Sequence, residues 1–372
     1  MKFPLLDKIL SQRVALLDGA MGTNIQQKNL NEEEFRGLEF SDHSYEQLGN
    51  NDLLSITQPD VVFEIHRDFL DVGCDIIETN TFNSNSISQA HYGTSDYVRT
   101  LNLSAARIAR RAADESIKKD SSKPRFVAGA IGPTNKTLSL SPDVDDPGFR
   151  DISFNDLYVS YLDQARALVE GGVDLFMIET VFDTLNAKAA LLAAEKASQE
   201  KDKNVPIMLS VTITDRSGRT LSGQTVDAFW VSVRHANLFS IGINCALGAE
   251  AMRPYVEELS RFADIWTTCV PNAGLPNPLS PTGYEETPKT TAGLLGEIAS
   301  SKLVNIVGGC CGTTPEHLRA IKDAIDHSAR LRNPNFSKSV TTELSGLERL
   351  EINSSSNFII IGERTNVTGS RK

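Results

Sequence analysis

The chain has 372 residues, which is enough for one large domain or two ordinary ones. Apolar residues make up 40% of it and charged residues 23%, a balance that excludes collagen-like, coiled-coil and wholly disordered chains. The formal net charge of −11 argues against a nucleic-acid partner, because binding to phosphate backbones needs clustered Lys and Arg side chains.

The amino-terminal segment indicates the cellular compartment of the protein, and the compartment in turn decides how its cysteines are interpreted. Residues 1–19 mix charged side chains into their apolar positions, unlike a secretory signal, and no stretch is long enough to span a bilayer. We therefore expect a cytoplasmic protein with no membrane partner. In that reducing compartment the cysteines are better candidates for metal binding or catalysis than for disulfides. They are Cys74, Cys245, Cys269, Cys310 and Cys311.

Short apolar runs alternate with longer amphipathic stretches along most of the chain. The runs predict strands at 14–17, 75–79, 126–131, 175–178, 207–213, 240–243, 265–270 and 303–307. The amphipathic stretches predict helices at 59–72, 98–116, 155–171, 184–199, 249–262, 290–301 and 315–331. Eight such strands indicate an α/β fold, the (β/α)8 TIM barrel. A doubly wound sheet also alternates strands with helices, and the strand count favours the closed barrel.

A barrel of this kind has its active site at the carboxyl ends of its strands, and the sequence places polar and metal-binding residue types there. In the order of the strands that they follow, these residues are Asp18-Gly19-Ala20, Glu78, Glu179, Asn244-Cys245, Asn272 and Gly309-Cys310-Cys311-Gly312. The pattern predicts a functional site at one rim of the barrel. A polar insert at 26–51 is expected to pack over the barrel or to cover that site.

Cys245, Cys310 and Cys311 form the strongest candidate site. Catalytic zinc takes three protein ligands and leaves a fourth position open, and the glycines around Cys310 and Cys311 let the backbone aim both sulfurs at one point. Two alternatives remain, namely buried cysteines that pack as small hydrophobes and a glycine-rich loop that binds phosphate. The metal site is favoured over both. For Cys74 and Cys269, core packing is favoured.

Ligation by three thiolates would restrict the chemistry of such a metal. Three thiolates give a zinc complex a net charge of about −1, so it activates water poorly. It can still bind an incoming thiol and lower its pKa, so that a nucleophilic thiolate is present at neutral pH. The chemistry that this arrangement favours is alkyl transfer to sulfur.

Several motifs resemble the homocysteine S-methyltransferase family over about residues 5–330. They are Asp18-Gly19-Ala20-Met21-Gly22-Thr23, Glu78-Thr79-Asn80-Thr81-Phe82, Gly132-Pro133, the strand end at Glu179, Gly242-Ile243-Asn244-Cys245 and Gly309-Cys310-Cys311-Gly312-Thr313-Thr314-Pro315. The resemblance implies a barrel that binds Zn²⁺ and transfers a methyl group to homocysteine, with Cys245, Cys310 and Cys311 as catalytic zinc ligands. Asn272 is a candidate for the fourth zinc position without substrate, and a turn former is an equally good interpretation of it.

The same resemblance assigns the substrate-binding residues. Asp18 and Glu179 would hold the ammonium group of homocysteine, and Asn244 would support the site. Backbone N–H groups of the turn that contains Gly19 and Ala20 would bind the substrate carboxylate. Two carboxylates could instead work as a general acid/base pair, but alkylation of a metal-bound thiol needs no such pair.

The carboxyl-terminal residues predict a change of module. Residues 1–332 are assigned to the homocysteine-binding barrel, 333–357 to a polar linker, and 358–372 to the start of a methyltetrahydrofolate-binding domain, truncated in this chain. The last assignment rests on an apolar run at 358–361 followed by Gly362-Glu363-Arg364-Thr365-Asn366-Val367-Thr368-Gly369-Ser370, which is similar to how folate barrels begin.

That continuation resembles the cobalamin-dependent methionine synthases within the family. It implies homocysteine as substrate, methylcobalamin as immediate donor, and 5-methyltetrahydrofolate as donor in the full enzyme. The methylcobalamin would be held by a cobalamin-binding domain of the same polypeptide, absent from this chain. One alternative is a free-standing homocysteine methyltransferase that uses S-methylmethionine or betaine. Another is a non-catalytic domain in which zinc is purely structural.

Overall fold

Eight parallel strands form the centre of the protein. The computed structural model describes residues 3–214, 217–280, 283–334, 341–360 and 362. The strands of the central sheet are β1 (Ala15–Leu16), β2 (Ile76–Glu78), β3 (Phe126–Ile131), β4 (Leu175–Val181), β5 (Ile207–Val211), β6 (Leu238–Gly248), β7 (Trp266–Asn272) and β8 (Ile306–Val307). Each predicted apolar run contains or overlaps one of them.

The sheet closes on itself. Its order is β1-β8-β7-β6-β5-β4-β3-β2, and a parallel bridge between Leu17 and Ile76 joins the first strand to the second. The (β/α)8 TIM barrel is thereby confirmed against the doubly wound alternative. Since parallel strands in a barrel are buried on both faces, near-continuous apolar runs are the expected signature.

Helices follow the strands around the barrel. They are α1 (Pro4–Leu10), α2 (Met21–Gln27), α3 (Glu32–Arg36), α4 (Leu54–Thr57), α5 (Pro59–Val72), α6 (Ser86–Gln89), α7 (Val98–Lys119), α8 (Phe154–Gly171), α9 (Thr184–Glu200), α10 (Val226–Val233), α11 (Ala249–Phe262), α12 (Pro288–Ser300) and α13 (Pro315–Ser328). All seven predicted helices are present, with boundaries that differ by at most a few residues. The sequence analysis missed α10, because its eight residues are almost uniformly apolar and carry little helical period.

The core closes one end of the barrel and leaves the other open. Inward-facing residues such as Met177, Met208 and Phe239 share a buried cluster with Leu6 and Leu10 of α1. Because α1 packs across the amino-terminal ends of the strands, the carboxyl ends form the accessible mouth. Among the described residues, no helix is long and apolar enough to cross a membrane.

Part of the segment predicted as a linker is an ordered hairpin. Its strands β9 (Thr342–Ser345) and β10 (Arg349–Ile352) pair antiparallel and dock against α10. The docking uses polar contacts, such as the Ser345 hydroxyl donating to the Ala228 carbonyl at 2.7 Å and the Thr225 amide donating to the Leu347 carbonyl at 2.9 Å. Because the hairpin docks through polar contacts, its sequence has no periodic pattern of apolar residues. The sequence analysis therefore assigned this segment to a linker.

The apolar run at 358–361 forms no strand at its described positions. Residues 358–360 have no regular secondary structure, and Phe358 is 92% exposed. The remainder of the segment assigned to the folate-domain start lies outside the described residues, apart from Gly362.

Closure between β1 and β2 depends on one buried carboxylate, which yields a stability prediction. Asp75 accepts two hydrogen bonds from Arg13, at 2.6 and 2.7 Å, and one from the Leu16 amide at 2.9 Å. Replacing it (Asp75→Ala) would leave those donors without their partner beside a seam that has a single backbone bridge. Because the Arg13 side chain is 47% exposed and stays hydrated, we expect the free energy of unfolding to fall by about 2–3 kcal/mol, measured by urea denaturation.

Asp71→Ala is the matched control. Asp71 is half-exposed, and its ion pair with Lys119, at 3.7 Å, lies in solvent. It should change the free energy of unfolding by less than about 1 kcal/mol. Equal effects from the two variants would show that Asp75 does not hold this seam.

Candidate functional site

A cavity of about 290 Å³ opens at the carboxyl-terminal mouth of the barrel. Its wall combines strand ends with the insert that follows β1, from which Gln26 and Asn51 contribute. These two residues are the ends of the insert that was expected to pack over the barrel or to cover the site. The predicted site residues that line it are Asp18, Gly19, Ala20, Glu179, Cys245, Cys310 and Cys311.

The structure brings the three cysteines together. The Sγ atoms of Cys245 and Cys311 are 3.9 Å apart, those of Cys310 and Cys311 are 4.0 Å apart, and all three lie within 4.8 Å of one another. All three cysteines are free thiols. This spacing is compatible with a single tetrahedral metal ion bound by three sulfurs.

Irregular backbone produces this convergence. Cys245 and Ala246 have φ values of +60° and +59°, in the left-handed region that non-glycine residues rarely adopt. The register between β6 and β7 shifts at the same place, after Asn244. The sequence analysis expected glycine-assisted irregularity at Cys310 and Cys311, but nothing in the letters around Cys245 indicated that its own backbone would be left-handed.

The thiols determine one another's protonation. Hydrogen bonds from the Cys245 and Cys310 thiols lower the pKa of Cys311 to about 3. The pKa of Cys310 is raised well above its usual value, because its thiol hydrogen-bonds to Cys245 and Cys311 and is buried. One anionic sulfur is therefore stabilised by two thiols, and a cation is needed before all three sulfurs can be anionic together.

A second cluster, of three carboxylates, lies in the same cavity. Asp18 and Glu179 are 3% and 8% exposed, and the Asp18 carboxylate accepts from the Glu78 amide at 3.0 Å. The side chains of Glu78 and Glu179 hydrogen-bond to each other. Glu78 was recognised as a strand end but not as a site residue. Its position at the end of β2, equivalent to Glu179 at the end of β4, was the signal available.

Asn244 joins the two clusters. Its side chain reaches across β5 to β4, where its oxygen accepts from the Thr180 amide at 2.9 Å and its nitrogen donates to Glu179 at 3.3 Å. It is 1% exposed. The residue next along the chain, Cys245, faces the thiol cluster. The structure thus places Asn244 behind Glu179, where it fixes the orientation of that carboxylate.

Burial raises the pKa values of the acidic residues. Desolvation is the main cause of the raised pKa in Asp18, Glu78 and Glu179. The neighbouring Glu179 and Asp18 raise the pKa of Glu78 further. The pKa of Glu179 rises to about 7. No Lys or Arg is among the described residues that line the cavity. The cluster must therefore retain protons or receive a cationic ligand, and an ammonium group suits it.

One backbone amide in the turn after β1 already has a hydrogen-bond partner within the protein. In this structure the Ala20 amide donates to the Thr313 hydroxyl at 3.2 Å. A substrate carboxylate at this turn would have to compete with that hydroxyl, or use the neighbouring amides that also line the cavity, those of Gly19 and Met21 among them.

Tyr284 is a further cavity residue that the sequence analysis did not identify. Its side chain hydrogen-bonds to Cys311. Burial, and then the neighbouring thiols, raise the pKa of this tyrosine. No local motif marks it, since it comes from the loop between β7 and α12 and its position depends on how that loop folds back.

The fold and the site together define a class of protein: a (β/α)8 barrel whose mouth holds a cysteine cluster able to bind a metal, beside an acidic pocket. The model of the homocysteine S-methyltransferase family matches residues 15–325, most of the chain. This chain belongs to the homocysteine S-methyltransferase family.

Solved structures agree in fold. The oxidized form of the homocysteine methyltransferase MmuM from Escherichia coli is 19% identical, with a TM-score of 0.66 over 86% of this chain and 97% of that one. The metallated form is 21% identical, with a TM-score of 0.65 over 86% of this chain and 98% of that one. At this level of identity, the likeness shows the shared barrel.

The acidic cluster predicts how stability of the substrate-free protein depends on pH. A carboxyl group whose pKa is raised on folding contributes stability that is present below its ordinary pKa and lost as pH rises through its folded-state pKa. For Glu179 that window runs from 4.5 to about 7. Across it, we expect the cluster to reduce the free energy of unfolding by an amount on the order of 2 kcal/mol.

Urea denaturation at pH 5 and pH 8 tests this expectation. Glu78→Gln removes one carboxylate of the cluster, so the variant should lose less stability than the wild type between the two pH values. The control Glu64→Gln alters an exposed carboxylate that lies 3.5 Å from Lys28, and it should behave as the wild type does. Identical pH dependence in all three proteins would contradict the assignment.

Proposed function

We propose that this barrel catalyses methyl transfer to the thiol of homocysteine, forming methionine, with Zn²⁺ bound by Cys245, Cys310 and Cys311. The observation that carries the proposal is the convergence of these three sulfur atoms at the barrel mouth, in the same cavity as an acidic cluster. When bound there, zinc would lower the pKa of the homocysteine thiol and so supply a thiolate at neutral pH.

The donor set of the site fits zinc. Three thiols are soft ligands suited to this ion. Asn272 adds a second observation, because its side-chain oxygen is buried and has no hydrogen-bond partner among the described residues. An unpaired buried oxygen at the end of β7, next to the β8 loop, supports Asn272 as the fourth ligand without substrate over its interpretation as a turn former.

The carboxylates recognise the other end of the substrate. Asp18 and Glu179 would bind the ammonium group, with Glu78 completing the acidic wall and Asn244 orienting Glu179. The substrate ammonium supplies the positive charge that the cavity wall lacks. A binding role explains this cluster better than acid/base catalysis, because alkylation of a thiolate requires no proton transfer between carboxylates.

In the overall reaction, the homocysteine thiol loses its proton, a bond forms between its sulfur and the methyl carbon, and the bond from that carbon to the donor breaks. The protein's contribution is to hold the sulfur toward the open mouth while the ammonium group is fixed below it. This orientation removes much of the entropic cost of bringing the thiolate to the donor.

For the donor, we propose methylcobalamin, bound by a cobalamin-binding domain of the same polypeptide, with 5-methyltetrahydrofolate as donor in the full enzyme. The support is the similarity of residues 362–370 to the start of a folate barrel, which makes the chain resemble the first module of cobalamin-dependent methionine synthase. A free-standing enzyme that uses S-methylmethionine or betaine is the alternative that the barrel itself equally accommodates.

Metal content and spectroscopy test the zinc site. Zinc-edge X-ray absorption should show three sulfur neighbours without homocysteine and four with it, since the substrate thiol takes the open position. Cys310→Ala should lose most of the bound zinc and reduce methyl transfer by at least about 100-fold.

Cys269→Ala is the matched control for this cysteine, because Cys269 is buried against Met252, 3.6 Å away, and outside the cluster. It should keep both zinc and activity. Full methyl transfer by the Cys310 variant or by zinc-free protein would refute the proposal, and three sulfur neighbours with and without homocysteine would indicate a purely structural metal.

Donor preference separates the two enzyme hypotheses. The protein should transfer a methyl group from free methylcobalamin to homocysteine, with S-methylmethionine and betaine giving rates no higher than an assay without protein. Methionine formation from each donor can be followed by mass spectrometry. Turnover with S-methylmethionine or betaine but not with methylcobalamin would favour the free-standing enzyme and leave the zinc assignment intact.

A further inference from the structure

The loop between β7 and α12 presents Tyr284 to the thiol cluster from a fixed position. Pro276 and Tyr284 form an antiparallel bridge, and the Asn277 amide donates to the Gly283 carbonyl at 2.7 Å. The two ends of the loop are therefore held side by side. Tyr284 lies at this paired base, and its side chain lines the cavity.

The tyrosine ring lies directly on Gly312, the residue after Cys311. A Cβ atom built on Gly312 would come within 2.4 Å of the ring carbon Cγ of Tyr284, closer than real Cβ contacts occur. Gly312 also has a φ of +82°. The glycine that ends the cysteine motif is thus needed for its backbone conformation and for the close approach of this ring.

The hydroxyl of Tyr284 reaches the sulfur atom of Cys311. Its hydrogen-bond partner is Cys311, whose Sγ lies 3.9 Å from that of Cys245 and 4.0 Å from that of Cys310. A phenol is a donor at neutral pH, and a thiolate sulfur accepts. The hydrogen bond from Tyr284 therefore acts on one sulfur of a cluster in which all three sulfur atoms lie within 4.8 Å of one another.

From this geometry we infer that Tyr284 is a positioning residue of the metal site, whose hydroxyl holds the Cys311 sulfur in place and withdraws part of its negative charge. Outer partners of metal ligands orient those ligands and adjust how strongly they donate to the metal. The inference rests on the proposed function, because it requires that Cys311 be a metal ligand.

This assignment makes the three sulfur ligands unequal. Cys311 would share its charge with a hydroxyl as well as with the metal, whereas Cys245 is placed by its left-handed backbone at the end of β6. A fixed Cys311 also preserves the direction of the open coordination position, which decides where the substrate sulfur points. The hydroxyl contributes to orientation and charge, and the ring alone would contribute only packing.

Cobalt-substituted protein tests the inference with a readout that is independent of activity. Co²⁺ bound to thiolates gives a charge-transfer absorption band whose energy falls as the sulfur becomes a stronger donor. Tyr284→Phe keeps the ring and removes only the hydroxyl. We expect a red shift of the band and a decrease of about tenfold in affinity for the metal, measured by competition with a chelator.

Two further variants complete the design. Tyr97→Phe is the matched control, since Tyr97 is partly exposed and packs on Phe40 at a ring-centroid distance of 4.8 Å; it should match the wild type in band energy and affinity. Tyr284→Leu removes the hydroxyl and most of the ring packing. It should shift the band at least as far as Tyr284→Phe does.

The outcomes separate this inference from the proposed function. A wild-type protein without a thiolate-to-Co²⁺ band would refute the metal site itself. A wild-type band that Tyr284→Phe leaves unchanged, in energy and in affinity, would overturn the role of the hydroxyl alone. An effect seen only in Tyr284→Leu would assign the tyrosine to packing and equally overturn the inference.

Discussion

The candidate site depends on one electrostatic constraint: the sulfur atoms of three partly buried cysteines, within 4.8 Å of one another, cannot all be anionic unless a cation lies between them. Hydrogen bonds among the sulfurs lower the pKa of Cys311, whereas the pKa values of Cys245 and Cys310 are raised. The left-handed backbone at Cys245 and the glycine at 312 bring these sulfurs together at some cost in local conformation. Such a cost is tolerated where it builds a functional site.

The acidic cluster presents the same constraint a second time. Asp18 and Glu179 are buried, and Glu78 partly buried, in one cavity whose described lining has no Lys or Arg, so their negative charges have no cationic partner there. The cavity therefore contains two clusters, the cysteines and the carboxylates, and each would be stabilised by a positive charge. Under the proposed function, a metal ion bound to the substrate thiol and the ammonium group of the same substrate would supply these two positive charges.

The features that could be predicted from the sequence were those with a regular apolar pattern or an unusual combination of residue types. The strands and the long helices were predictable because buried parallel strands are continuously apolar and the helices carry a regular apolar stripe. Cys310 and Cys311 were recognisable because adjacent cysteines between glycines have few other uses. By contrast, α10 and the β9–β10 hairpin lack an apolar period. Glu78 was visible as a rim residue at the end of β2, but Tyr284 becomes a site residue only through tertiary contacts, which one sequence does not display.

The end of β6 connects the two clusters through two successive residues. Side chains alternate across a strand, so with Asn244 turned inward to Glu179, Cys245 would ordinarily face the surrounding helices. Its left-handed φ redirects it to the mouth. One dipeptide thus positions both the Glu179 carboxylate and one sulfur of the cysteine cluster. Because both groups depend on one stretch of backbone, they do not move independently, and under the proposed function their separation would have to match that of the amine and the thiol in the substrate.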